Sequence, residues 1–175
     1  MSQVEKVTGE LGALSTGVQR AHQQAGAAEH QAQDVARRAA AAGFVGVAAG
    51  MTRVHAAVAE IRGGLSGLAE VIAEVIRATT GVAQQGSPQE TIAGLAPVQA
   101  GVDRVRETAG GVIAQIAQTQ QLVTTVLQGG QPGPLLQALD GIRQIVVQIA
   151  QHTGTIRQSV DAAVAQAGQL GSSGN

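Results

Sequence analysis

The sequence predicts an all-α protein in which two long antiparallel helical hairpins, with four heptad-patterned helices, pack as an elongated four-helix bundle. Two observations lead to this fold class. Apolar residues recur at alternating spacings of three and four in four runs, over residues 4–42, 47–82, 95–126 and 135–170. Each run keeps this spacing for about five heptads, as coiled-coil-like helices do. The apolar residues are mostly Ala, Val, Ile and Leu, with one Phe and no Trp or Tyr, which favours long, thin packing.

The expected helix ends carry capping and breaking residues. Ser2 and Glu5 have the spacing of a capping box, and Gly43 stands where the first helix should end. Ser87-Pro88-Gln89-Glu90 is a second capping box with proline at the first helical position. Gly129-Gly130-Gln131-Pro132-Gly133-Pro134 combines a stop, a turn and a restart. Four helices of about 55 Å each are therefore expected.

The domain organisation follows from these breaks. We predict an N-terminal helical hairpin over residues 1–84, a C-terminal helical hairpin over residues 85–171, and a flexible tail over residues 172–175. Pro97 lies inside the third apolar run, so a kink or a broken turn is expected around residues 94–97.

The two hairpins also resemble each other in sequence. Gly50-Met51-Thr52-Arg53-Val54 and Gly141-Ile142-Arg143-Gln144-Ile145 occupy matching places in the second and fourth helices. An internal duplication and a chance similarity between Ala/Val/Gln-rich heptads both explain this, and the sequence leaves the choice open.

Charge and composition argue against several partner classes. Charged residues make up 13% of the chain, about half of the usual share. The net charge is −1 and the only adjacent basic pair is Arg37–Arg38, so we expect no nucleic-acid binding. There is no cysteine.

No segment approaches the roughly 20 apolar residues of a membrane span, and the N-terminal residues lack a secretory signal pattern, so we predict a cytoplasmic protein without integral membrane association. Export without a signal remains open.

Few residues are candidates for chemistry, and none forms a convincing site. Three pairs stand one helical turn apart on predicted helices: His30 with Asp34, Glu70 with Glu74, and Asp103 with Glu107. Each pair lacks the further ligands that a metal ion needs and is typical of a solvated helix surface. We therefore predict no catalytic, cofactor-binding or metal-binding residue, no cofactor, and no enzyme activity.

Glycines are frequent inside the predicted helices, and each is expected to cost up to about 1 kcal/mol relative to alanine. The positions are Gly9, Gly12, Gly17, Gly26, Gly63, Gly64, Gly67, Gly101, Gly110, Gly111 and Gly154. Close contacts between helices or binding to a partner would offset this cost, so the glycines suggest assembly.

The first bend carries a resemblance to a known family. Its turn reads Gly43-Phe44-Val45-Gly46, and Phe-x-Gly at the bend of a helical hairpin resembles the Trp-x-Gly turn of the small helical proteins associated with type VII secretion. That resemblance implies a partner-bound hairpin exported without a cleaved signal. Phe stands in place of Trp, and without any Tyr the chain lacks the family's Tyr-x-x-x-Asp/Glu export signal.

The whole chain also resembles an uncharacterised actinobacterial family of helical proteins, a domain of unknown function. The resemblance rests on Ser2-Gln3-Val4-Glu5, on residues 42–51 and on residues 126–136, and the single Lys against ten Arg fits a GC-rich genome. It implies a source and a fold but no activity.

Three functional hypotheses remain. We favour a non-enzymatic helical interaction protein that binds a protein partner or itself through apolar helix seams. A type VII-like secretion system or a toxin is a candidate source of that partner. The alternatives are an amphipathic surface-coating protein similar to phasins, and a signalling coiled coil similar to the cytoplasmic part of chemoreceptors, suggested by Ile113-Ala114-Gln115-Ile116-Ala117-Gln118-Thr119.

Overall fold

The computed structural model describes residues 2–173, which form four α-helices and no β-strand. The helices are α1 (Gln3–Ala41), α2 (Val45–Ala83), α3 (Pro88–Val126) and α4 (Gly133–Ser172). Each has 39 or 40 residues and is therefore about 58 Å long. The predicted all-α fold class with four long helices is confirmed.

The helices form a closed ring. α1 and α3 each contact α2 and α4, whereas within residues 2–173 the diagonal pairs α1–α3 and α2–α4 do not contact each other. The connections between successive helices are short, so neighbouring helices run antiparallel. The result is an elongated four-helix bundle.

One continuous apolar core runs along the bundle axis and contains most of the predicted apolar heptad residues of all four helices. Ala42, the last residue of the first predicted run, is instead exposed, because it lies beyond the end of α1. α1 contributes mostly alanines to the second half of this core, including Ala21, Ala25, Ala28 and Ala32. Leu170, which the fourth apolar run includes, is instead 63% exposed. Gln24 of α1 lies beside Gly141 of α4, and continuing this antiparallel register places Leu170 beyond the first turn of α1.

The two predicted capping boxes are confirmed. The Glu90 backbone N–H donates to Ser87 Oγ, and the Ser87 N–H donates to the Glu90 carboxylate, each at 3.2 Å. Ser2 and Glu5 repeat this arrangement at the start of α1. There, the hydrogen bond from the Ser2 backbone N–H lowers the pKa of the Glu5 carboxyl.

The predicted broken turn at Pro97 is wrong, because α3 is continuous from Pro88 to Val126 and includes Pro97. The proline ring is exposed, while Leu95 and Val98 on either side are buried in the core. Packing of these neighbours holds the helix together across the missing hydrogen bond.

Four glycines bring α2 and α3 close together. A Cβ atom added to Gly50 would lie 2.6 Å from Val126 Cγ1, and one added to Gly101 would overlap the Val75 side chain. Added Cβ atoms at Gly64 and Gly94 would also crowd side chains of the facing helix or its following loop. Close contact between helices therefore accounts for these four glycines. At eight other helical glycines an added Cβ atom would meet nothing within 4 Å: Gly9, Gly12, Gly26, Gly63, Gly67, Gly110, Gly111 and Gly154. Nothing in the structure explains these eight.

The division into hairpins at residues 84–85 stays a prediction, since each hairpin packs against the other over its length. In the predicted tail, Ser172 ends α4 and Ser173 caps it. Residues 174–175 lie outside the described part of the chain.

Candidate functional site

The turn between α1 and α2 is a tightly hydrogen-bonded reversal. Gly43 has a φ of +83°, a conformation that favours glycine. Its N–H donates to the Ala40 carbonyl at 3.1 Å, and the Phe44 N–H donates to the Ala39 carbonyl at 2.8 Å. These two bonds are the Schellman motif of a helix C-terminus, so the backbone position of Phe44 is fixed.

Phe44 itself is the only aromatic residue of the chain, and 64% of it is exposed. It occupies the N-cap position of α2, where its side chain makes no capping hydrogen bond. Ser, Thr, Asp or Asn at an N-cap typically adds about 1 kcal/mol of stability over an apolar residue. The next residue, Val45, is 74% exposed. The turn therefore presents two apolar side chains to solvent at a position where a polar residue would stabilise the fold.

The first hairpin extends beyond the second at this end of the bundle. Val126, the last residue of α3, lies beside Gly50, so the first turn of α2 has no α3 neighbour. The register that places Gln24 beside Gly141 puts Gly133, the start of α4, opposite Ala32. The last turns of α1 and the first turn of α2 thus lack the helices that cover them elsewhere. We call residues 36–52 the hairpin tip.

A groove of about 460 Å³ runs along the outer side of the hairpin tip, between α1 and α2. Four alanines and one valine supply its apolar surface, and we call it the alanine groove. Its lining consists of Gln33, Ala36, Arg37, Ala40, Val45, Ala48, Ala49, Thr52 and His55. Phe44 is not part of the lining, so its exposed ring does not fill the groove. Since alanine side chains are short, another helix could approach both α1 and α2 closely here.

Ion pairs border the alanine groove on two sides. Arg37 pairs with Asp34 one turn before it on α1. On the other side, the Glu29 carboxylate lies 3.5 Å from His55 Nε2 and 3.1 Å from the Arg62 guanidinium, which links α1 to α2. Arg37 and His55, the two basic residues of the groove lining, thus each lie next to a carboxylate of the same hairpin.

The remaining predicted candidate pairs lie on separate surfaces and do not converge. His30 is exposed, and its predicted partner Asp34 pairs with Arg37. Glu74 pairs with Arg104 of α3 at 3.3 Å. Asp103 pairs with Arg157 of α4, and this hydrogen bond raises the pKa of the arginine. Across residues 2–173, no three His, Asp or Glu side chains lie close enough together to hold a metal ion.

Sequence reasoning identified the turn at Gly43 but not the surface around it. The signal that could have found it is the placement of Phe44 directly after a helix-ending glycine, at an N-cap position that usually carries a polar residue. The overhang of the first hairpin depends on the register between helices, which no single helix encodes.

Comparison with known proteins adds one match. The model of a family described as "Family of unknown function (DUF6244)" matches residues 86–172. The matched region contains α3 and α4 and begins within two residues of the predicted hairpin boundary. No curated protein matches the chain. In the described part of the chain, none of the helices has the length and apolar character that crossing a membrane requires.

Proposed function

We propose that this protein is a non-enzymatic interaction module that binds a helix of a protein partner in the alanine groove of its hairpin tip. The single observation that carries the proposal is the exposure of Phe44 and Val45 beside an unfilled apolar groove. A groove between two antiparallel helices accepts a third helix by the packing that builds helical bundles. Exposed aromatic side chains next to such a groove are typical anchors of protein interfaces.

The distribution of exposed apolar side chains favours this function over surface coating. The large exposed hydrophobic residues of the described chain are Phe44, Val45 and Leu170, and they lie at the two ends of a rod about 58 Å long. A phasin-like protein needs a continuous apolar face along its helices. Here the apolar faces pack into the core, so recognition at one end of the rod is the better supported proposal.

A link to type VII-like secretion or to a toxin partner is a narrower part of the same proposal. It rests on the resemblance of the turn Gly43-Phe44-Val45-Gly46, of which Gly43 and Phe44 form the bend while Val45 and Gly46 begin α2. The resemblance favours signal-less export, and a cytoplasmic location stays the alternative proposal.

Site-specific photo-crosslinking in the native host tests the proposed surface. A photoreactive residue at Ala49, in the alanine groove, should give a defined crosslinked product with a protein. Ala56 is a matched control, because it is an exposed alanine on the same face of α2 one heptad later and lies outside the groove lining. We expect the Ala49 product to be at least several times more abundant than any product from Ala56. Equal labelling from both positions would contradict the proposal.

A further inference from the structure

We propose that the helix bound in the alanine groove is acidic, with carboxylates on both flanks of its apolar face that pair with Arg37 and Arg53 on the two rims of the groove. This inference rests on the proposed function and names the chemistry of its partner. It starts from the charge around the hairpin tip, which is opposite in sign to the charge of the rest of the chain.

Positive charge is concentrated around the hairpin tip. Residues 35–59 contain three arginines, Arg37, Arg38 and Arg53, and no carboxylate. The turn of the second hairpin and its adjoining helix segments, residues 108–139, contain no Asp, Glu, Lys or Arg. These two segments together carry a formal charge of +3 and the whole chain carries −1, so the remaining residues carry −4. Such a separation of charge attracts an acidic partner to this end of the bundle.

Two of the three arginines lie on opposite rims of the alanine groove. Arg37 belongs to the groove lining on α1. On α2, Arg53 is exposed and directly follows Thr52, which also lines the groove. The hydrogen bond between Glu29 and Arg62 shows which levels of α1 and α2 face each other. Moving about equally far toward the turn along both helices brings Arg37 level with Arg53. A helix in the groove therefore has one arginine on each flank.

Both rim arginines are available to a partner carboxylate. Arg37 pairs with Asp34, but the two side chains are 72% and 58% exposed, and exposed pairs of this kind are weak and exchange partners readily. Within residues 2–173, no ion pair includes Arg38 or Arg53. A carboxylate of the partner can therefore join or replace Asp34 at Arg37, and at Arg53 it competes with no carboxylate of the described chain.

The carboxylate of Glu29 limits where the acidic residues of the partner can lie. Glu29 hydrogen bonds to Arg62 and lies 3.5 Å from His55 Nε2, at the end of the groove that is farthest from the turn. A partner carboxylate at that end would be repelled by Glu29. The acidic residues should therefore lie at the level of Arg37 and Arg53, and the partner residues near Glu29 should be neutral or basic.

Fluorescence anisotropy with the purified full-length protein and three labelled synthetic helical peptides tests the inference. The peptides share one apolar face of Leu and Ala and differ only at the flanking positions, which carry Glu, Gln or Lys. The Glu peptide should bind at least roughly tenfold more tightly than the Lys peptide, with the Gln peptide between them. Its affinity should fall as salt rises from about 50 to 500 mM, because the pairing charges are exposed. Equal affinities of the three peptides, or no binding of the Glu peptide, would overturn the inference.

Charge reversal at one rim locates the contact. Arg53→Glu should weaken binding of the Glu peptide at least roughly fivefold and strengthen binding of the Lys peptide. Arg106→Glu is the matched control, because Arg106 is also exposed and takes part in no ion pair of the described chain. The contacts of Gly50 with Val126 and of Gly101 with Val75 place Arg106 about 25 Å from Arg53 along the bundle.

Arg106→Glu should therefore leave both affinities within roughly twofold of wild type. Since both arginines are exposed, both variants should keep the wild-type melting temperature, and a lost affinity then cannot be attributed to unfolding. If Arg53→Glu and Arg106→Glu change peptide binding alike, the inference is overturned.

Photo-crosslinking at Ala49 in the host separates this inference from the proposed function. Mass spectrometry should place the crosslink on a partner helix with Asp or Glu on both sides of its apolar face, and Arg53→Glu should lower the yield. A crosslink to a helix without such carboxylates, or to a second copy of this chain, would overturn the inference and leave the proposed function standing. A crosslink to phospholipid, or no more product at Ala49 than at Ala56, would overturn both.

Discussion

Replacing Gly101 by alanine should lower the free energy of unfolding by up to about 2 kcal/mol, although alanine is the better helix former. The added Cβ atom would overlap the Val75 side chain across the α2–α3 interface, and overpacking of this kind costs about 1–3 kcal/mol. The gain of about 1 kcal/mol in helix propensity offsets only part of that cost. Urea unfolding followed by circular dichroism measures the change in a chain without Trp or Tyr.

Gly111→Ala is the matched control on the same helix. Gly111 is exposed, and an added Cβ atom would meet nothing within 4 Å. This variant should raise the free energy of unfolding by about 0.5–1 kcal/mol. If both variants change stability in the same direction, the close approach of α2 and α3 at Gly101 is not as described.

Replacing Pro97 by alanine should raise the free energy of unfolding by about 2 kcal/mol. Proline costs about 3 kcal/mol relative to alanine in a helix interior, and α3 already runs through Pro97 without a break. The variant restores a backbone N–H that can donate to the Ala93 carbonyl. Part of the gain, about 0.4–1 kcal/mol, is lost because alanine makes the unfolded chain more flexible.

Thermal and urea unfolding of Pro97→Ala check this expectation, with Pro88→Ala as the control. Pro88 begins α3, where no intrahelical hydrogen bond is missing, so its replacement should not stabilise the fold. A Pro97→Ala variant that is less stable than wild type would mean that the proline ring makes contacts that α3 needs.

Much of the fold could be predicted because its determinants are local or periodic. The heptad spacing specifies which side chains are buried, and Leu11, Ile61 and Ile142 are buried as predicted. The Ser87 capping box specifies where α3 begins, because the side-chain and backbone groups involved are three residues apart.

The errors and omissions arise where tertiary contacts decide. Burial of Leu95 and Val98 keeps α3 continuous through Pro97. Leu170 stays exposed because it lies beyond the first turn of α1. The overhang of the hairpin tip depends on contacts such as Gly50 with Val126. Interhelical register of this kind comes from packing between helices, so the candidate site could not be located from the pattern within each helix.

Hydrogen–deuterium exchange of the full chain, free and bound to the partner that crosslinks at Ala49, tests the central claim most directly. The ends of α1 and α2 at the hairpin tip have few neighbours and should open easily in the free protein. The account predicts that binding slows exchange in residues 36–52 and leaves the middle of all four helices unchanged. Slower exchange along the outer faces of α3 and α4, with residues 36–52 unaffected, would contradict it.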